Sequence, residues 1–163
     1  MGLSIRFATA RDAEVIVGFV RGLAEYEREP EAVEVTPGIL RTQMESPNPP
    51  FECLLAEEDG AGVGFALFYR NYSTWRGRPG LFLEDLFVPE QHRRKGIGSA
   101  LLARLAAIAV ERGYGRMEWS VLNWNKPAQD FYRTLGATPM DQWTIWRVSA
   151  GTLDDACRNR RVN

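Results

Sequence analysis

The sequence predicts a single α/β domain, residues 1–163, whose sheet is mixed rather than built from strictly alternating strands and helices. Three observations point there. The periodic segments run in the order β, α, α, β, β, β, α, β, α, β, β, with strands clustered mid-chain and helices between the later ones. A length of 163 residues suits one sizeable core. The composition, 45% hydrophobic and 25% charged, is ordinary for a soluble globular protein.

Residues 3–8 alternate and read as a strand. Thr9 or Arg11-Asp12 then opens a helix whose apolar positions Val15, Ile16, Phe19, Val20 and Leu23 recur at helical spacing. The acidic run EYEREPEAVE, broken by Pro30, reads as a solvated loop, with a cation-attracting rim as the functional alternative. Residues 37–44 form a second helix with Pro37 at its start, and SPNPP is a turn. Residues 51–58 and 62–72 are strands joined at EDGAG, a hairpin signal. Gly60, Gly62 and Gly64 lie between two strands, so they read as turn chemistry and not as a dinucleotide fingerprint.

Residues 80–88 make a mostly apolar strand interrupted by Glu84-Asp85. A helix follows over 97–112, with Leu101, Leu102, Leu105, Ile108 and Ala109 on one face and Gly113 as its stop. Residues 116–122 alternate as a strand. NWNKPAQDFYRTLGA supplies a turn, a short helix from about Pro127 and a stop at Gly136, and residues 138–149 hold one or two final strands carrying Trp143 and Trp146.

Several function classes fall away. A formal net charge of −1 provides no basic field for nucleic acid. Cys53 and Cys157 form neither a disulfide framework nor a metal spacing, and Cys53, inside an apolar run, reads as a buried small hydrophobe. The single histidine, His92, has no partner spacing for a triad or a metal site and reads as a solvated loop residue. The first ten residues lack the apolar core of a secretory signal, and no stretch approaches the roughly 18 apolar residues of a membrane span. Gly2 could suggest myristoylation, but position 6 is Arg and not Ser or Thr. The expectation is a cytoplasmic protein with no membrane and no metal.

The seam RRKGIGSALL, from Arg93 to Leu102, carries the most chemistry. A glycine-containing turn between a strand and a helix leaves successive backbone N–H groups pointing one way, and the helix dipole adds positive potential at the same place. Glycine at 96 and 98 lets a ligand approach the backbone, while Arg93, Arg94 and Lys95 add full charges. Such a nest suits a pyrophosphate. A P-loop is excluded because Lys95 precedes Gly96. A Rossmann turn is excluded because Gly96-Ile97-Gly98-Ser99-Ala100 is followed by Leu101.

The pattern R-x-x-G-x-G at 93–98, preceded by LEDLFVPEQH and followed by an amphipathic helix, resembles the acetyl-CoA-binding motif of the GNAT superfamily of N-acetyltransferases. A second matching element, N-x-x-A-x-x-F-Y from Asn125 to Tyr132, is followed by Leu135-Gly136-Ala137. The segments ATARD, LAEYERE, NYSTWRGRPGLFLEDLFV and IWR resemble the diamine (spermidine/spermine-type) branch, and its thialysine-acetylating relatives fit better still. Coverage runs from about residue 4 to residue 148. The resemblance implies a mixed, mostly antiparallel β-sheet split by a bulge in strand 4, helices on both faces, acetyl-CoA in the gap and a homodimer.

It also implies site residues. Leu86, Phe87 and Val88 would face the pantetheine, and Leu86 and Val88 would offer it backbone groups. The turn Arg94, Lys95, Gly96, Ile97, Gly98 and Ser99 would hold the pyrophosphate, with Arg93 assisting. Asn125, Lys126 and Ala128 would lie near the cofactor. Tyr132, which spacing alone would make a core tyrosine, becomes the general acid for the departing CoA thiolate.

A primary amine with a pKa near ~10.4 is neutral in only about 1 molecule in 2,500 at pH 7, so it needs a base. Glu84 and Asp85 would face opposite ways on an alternating strand. The resemblance makes Glu84 the better candidate for a water-mediated base, and either carboxylate could instead be a structural ion-pair partner. The resemblance to the diamine enzymes implies that Glu27, Ser73, Trp75, Glu84, Asp85, Thr144 and Trp146 would shape the amine site. Diamine enzymes usually carry acidic residues where Ser73 and Thr144 stand, so the expected acceptor is a small primary amine such as a lysine analogue or a diamine. The alternatives are a protein lysine or N-terminal acetyltransferase, or a CoA-binding regulatory module without turnover.

Overall fold

Asp59 and Gly60 both sit at positive φ, 50° and 78°, and make a two-residue turn that folds one strand back on the next. That hairpin joins β2 (Glu52–Glu58) to β3 (Ala61–Ser73) at the centre of a five-stranded sheet. The order is β1-β2-β3-β4-β5, with β1 at Ser4–Phe7, β4 at Arg78–Phe87 and β5 at Met117–Trp119. The first three pairings are antiparallel and β4–β5 is parallel. The computed structural model describes residues 2–158. Contacts divide the chain into two compact units, one up to Leu122 and one from Asn123 onward.

In the first unit the pleat sends alternate residues to opposite faces. Cys53, Leu55, Phe65 and Leu67 pack with Ala13, Ile16, Val17 and Phe19 of α1 (Ala13–Tyr26) and with Leu40 of α2 (Pro37–Met44). Leu54, Ala56, Ala66 and Phe68, also buried, point the other way, toward α3 (Ile97–Glu111). A Cβ added at Gly64 would stand 3.2 Å from Ile97 Cγ2 on that side. The sheet is therefore mixed and mostly antiparallel, with helices on both faces.

Local chemistry sets the ends of these elements. Thr9 and Asp12 form a capping box before α1, with the Thr9 N–H donating to Asp12 Oδ2 at 2.7 Å. Arg6 holds Asp12 and Glu57 together, so β1, β2 and the entry to α1 share one guanidinium. Thr36 caps α2 by accepting from the Ile39 N–H at 3.2 Å, with Pro37 in the first turn. Gly113, at φ 68°, follows the end of α3.

The register of β4 breaks where the site begins. Leu67 faces Asp85 and Phe68 faces Leu83, which leaves Glu84 as an extra, bulged residue. Pairing with β5 covers only Leu81, Phe82 and Leu83. From Glu84 onward, no strand among the described residues lies beside the β5-facing edge of β4.

The second unit holds α4 (Lys126–Thr134) and α5 (Ala150–Arg158). Asn125 caps α4 by accepting from the Ala128 N–H at 3.4 Å, and Gly136 follows it at φ 82°.

Several expectations change. The strand expected over 116–122 shrinks to three residues because the bulge ends its ladder at Trp119. Residues 138–149 form no strand. The second unit contains no β-strand among its described residues, so strand-like composition has no ladder to join, and Trp143 and Trp146 stay exposed. Helix α5 was not expected. Gly62 and Gly64 belong to β3 and not to the turn, where they relieve contacts: added Cβ atoms would meet Val15 Cγ1 at 3.0 Å and Phe87 O at 3.1 Å. Val15, expected in the apolar stripe of α1, is exposed, because the buried face centres on Ile16, Val17 and Phe19. His92 ends a short 3-10 turn and is half-buried, with its Nδ1 shut away from solvent and unpaired among the described residues, so it is not a freely solvated side chain.

Candidate active site

The anion cradle starts at Arg94, which takes φ 63°, a left-handed conformation unusual for a side chain with a Cβ. Gly96 follows at φ 81° and caps α3 without any side-chain hydrogen bond. The first helical bond runs from the Ala100 N–H to the Gly96 carbonyl at 2.9 Å, so the amides of Ile97, Gly98 and Ser99 precede the ladder. A Cβ at Gly98 would touch nothing within 4 Å, which means open space above the first turn. Left-handed residues at 94 and 96 beside a free helix N-terminus make a nest suited to phosphate oxygens. Arg94 and Lys95 are exposed there, and Lys95 Nζ lies 4.0 Å from Glu58 Oε2. The residues present fit a pyrophosphate.

Leu86, Phe87 and Val88 lie just past the bulge, with their β5-facing edge open. Phe87 turns its ring toward α1, 6.3 Å from the Phe19 ring. Val88 gives its carbonyl to Arg93 Nε at 2.8 Å. Arg93 therefore points back at the strand end, and its guanidinium lies 4.9 Å from the centre of the Tyr26 ring.

The bulge also gathers acid. Asp85 is paired with Leu67, so it shares the α1 face of the sheet. Burial, then the charges of Glu84 and Glu27, push its carboxyl up to about 6. Glu27 is the C-cap of α1, and burial raises its carboxyl as well. Tyr69 lies two residues beyond Leu67 on the same face of β3 and stacks on Phe82 at 5.3 Å; burial first, then Glu84, raises its phenol. The expected division of Glu84 and Asp85 to opposite faces does not hold, because regular alternation stops at the bulge. The two carboxylates act on one local field.

Ser73 and Trp75 are not part of this cluster. Ser73 ends β3 six residues past Leu67, about 20 Å along the strand, and accepts from the Arg76 N–H. Trp75 is 92% exposed in the turn between β3 and β4.

In the second unit, Asn125 is the one buried polar residue among those described, and its amide oxygen holds the start of α4. Lys126 is exposed at the first position of α4, and Ala128 is half-buried. Tyr132 is half-buried, 5.7 Å from the Phe131 ring, and its carbonyl accepts from Leu135 and Ala137. Thr144 and Trp146 are exposed.

Sequence reasoning missed Tyr69 and Tyr26. Alternation along β3 puts Tyr69 on the Leu67 face, but its nearness to Glu84 depends on a bulge that no residue pattern announces. Nothing in the sequence announces the Tyr26–Arg93 stack. Cys53, as expected, is a buried hydrophobe: burial pushes its thiol up to about 12, which makes it a poor nucleophile.

Comparison with known proteins places the chain in a family. The model of the Acetyltransferase (GNAT) family matches residues 25–137. A thialysine N-epsilon-acetyltransferase of Sus scrofa is 37% identical over 150 residues, covering 87% of this chain and 88% of the relative. An L-ornithine N5-acetyltransferase of Arabidopsis thaliana is 41% identical over 91 residues, 56% of this chain and 40% of its own. The solved integron cassette protein from V. cholerae superposes with a TM-score of 0.81 at 23% identity, covering 97% of this chain and 99% of its own. The chain belongs to the GNAT family of acetyltransferases. It is an N-acetyltransferase, and enzymes of this family use acetyl-CoA as donor.

Proposed function

We propose that this protein acetylates the primary amine of a small molecule, a thialysine- or lysine-like amino acid or a diamine, and works as a single N-acetyltransferase domain. The observation that carries the proposal is the bulge at Glu84: it opens the edge of β4 and sets three carboxylates beside the opening. The relatives named above, which act on thialysine and ornithine, support a small amino-acid acceptor. The family match spans residues on both sides of Leu122, which supports one functional domain.

Acetyl-CoA supplies the activated thioester. Its pyrophosphate would rest on the amides from Arg94 to Ser99, and its pantetheine would add along the backbone of Leu86, Phe87 and Val88. Asn125, Lys126, Ala128 and Tyr132 enter from the family motif. Glu27, Glu84 and Asp85 would attract the ammonium form of the acceptor. Glu84 would take the amine proton through a water, the amine nitrogen would then bond to the acetyl carbon as the C–S bond breaks, and Tyr132 would protonate the departing thiolate. Asp85 is a second reading for the base, favoured by a carboxyl near 6 that is ionised yet basic at neutral pH. The pH profiles of Glu84→Gln and Asp85→Asn separate the two: the true base is the residue whose loss abolishes the acidic limb.

The proposal includes a homodimer in the cytoplasm. Tyr72 and Trp75 on the β3–β4 hairpin and Trp143, Ile145 and Trp146 further on are exposed apolar surface available to a second copy. Both cysteines are free, which suits a reducing compartment. No described helix is long and apolar enough to cross a membrane.

Thiol release from acetyl-CoA, measured with small amines on one side and lysine or N-terminal peptides on the other, tests the acceptor class. Turnover confined to the small amines is the expected result. Preference for peptides would overturn it, and CoA binding without release would make the chain a regulatory module.

A further inference from the structure

The three cations of the seam do not share one job. Arg94 and Lys95 extend from the turn into solvent, whereas Arg93 turns the other way. Its Nε donates to the Val88 carbonyl at 2.8 Å, and its guanidinium lies 4.9 Å from the Tyr26 ring centre and 5.7 Å from that of Phe87. Tyr26 ends α1 and adjoins Glu27, while Val88 directly follows β4. The same three side chains, Tyr26, Phe87 and Arg93, line an open groove of ≈ 610 Å³ beside α1 and the strand end. The approach is a built one: a Cβ at Gly22 would come within 2.8 Å of the Phe87 ring.

We propose that Arg93 is a positioning residue and not a phosphate ligand. It ties the carbonyl at the end of β4, where the pantetheine would run, to the last turn of α1, which carries Glu27 on the acceptor side. The proposal rests on the acetyl-CoA reading above and deepens it. Arginine fits because its Nε is fixed in the guanidinium plane, which lets one group donate to a carbonyl while lying against aromatic rings.

Two substitutions separate the roles. In Arg93→Gln the amide nitrogen occupies the chain position of Nε, so the bond to Val88 is retained and the charge removed. In Arg93→Lys the charge is retained and a carbon stands where Nε was. The tie needs both ends, so Arg93→Lys, which loses the bond to Val88, and Arg93→Gln, which loses the guanidinium on the Tyr26 ring, each lower kcat/KM for the acceptor about tenfold and lower the thermal midpoint of the unliganded protein. It further predicts that Tyr26→Leu adds little in the Arg93→Lys background.

A phosphate ligand gives a different pattern: Arg93→Gln loses CoA affinity with a flatter salt dependence, and Arg93→Lys is nearly unaffected. That pattern, or thermal midpoints of both variants equal to the parent's, overturns the proposal. Calorimetric CoA binding by the unsubstituted protein reports separately on the acetyl-CoA reading. If that binding were absent, the thermal midpoints of the two variants against the parent's would still decide the tie.

Discussion

Asp85 is costly to the fold, and the proposed site gives that cost a use in the chemistry. Its carboxyl is raised above 3.8 to about 6, so the folded state binds its proton more tightly than the unfolded chain does. Stability is therefore unaffected by this group below about pH 4, falls as pH climbs through the window up to about 6, and stays reduced above it. Asp85→Asn should raise stability at pH 8 by about 1–2 kcal/mol while lowering turnover. Chemical denaturation at pH 4 and pH 8 reads the first effect, and initial rates read the second. A variant equally stable at both pH values relative to the parent would remove the burial argument. Tyr132→Phe belongs at the same scale: as the proposed general acid, Tyr132 should, when replaced, lower kcat by at least about tenfold with little change in acetyl-CoA affinity. An unchanged kcat would take that role from it.

The elements make sharper use of glycine and of ion pairs. Gly98 lies in the first turn of α3 with no positive φ and with open space where a Cβ would go. Gly98→Val should thus leave the thermal midpoint within a few degrees of the parent and sharply weaken CoA binding by calorimetry. Normal binding would contradict the cradle. At the other end of the sheet, Asp12 is held well below its ordinary range, at about 2, chiefly by its bond to Arg6. That depression favours the folded state above about pH 4, and the benefit is lost as pH falls toward 2. Arg6→Ala should lower stability at pH 7 by about 1 kcal/mol or less, since the pair is partly exposed and screened, and the difference should vanish near pH 2.

Elements whose periodicity was repeated over several turns or residues were legible in sequence. α3 shows its apolar face at Leu101, Leu102, Leu105 and Ile108, and β2 and β3 announce their hairpin through Asp59-Gly60. The bulge was not legible from residue pattern, because Glu84-Asp85 in an apolar strand reads equally as a pleat with one polar face. Residues 138–149 misled for the opposite reason: Trp143, Ile145 and Trp146 favour a strand, but a strand exists only where another offers its edge.

For the whole molecule, the fold and donor chemistry follow from features that the GNAT family shares, and the proposed acceptor rests on local acid. Three carboxylates near the bulge suit one ammonium on a short flexible arm. A long polyamine would call for further carboxylates beyond these three. The most direct measurement is competitive turnover, with thialysine, lysine, ornithine, putrescine and spermidine present together at equal concentration with acetyl-CoA and the acetylated products resolved by mass. The account predicts that acetylated amino acids, thialysine foremost, accumulate ahead of acetylspermidine. A clear preference for spermidine would contradict it.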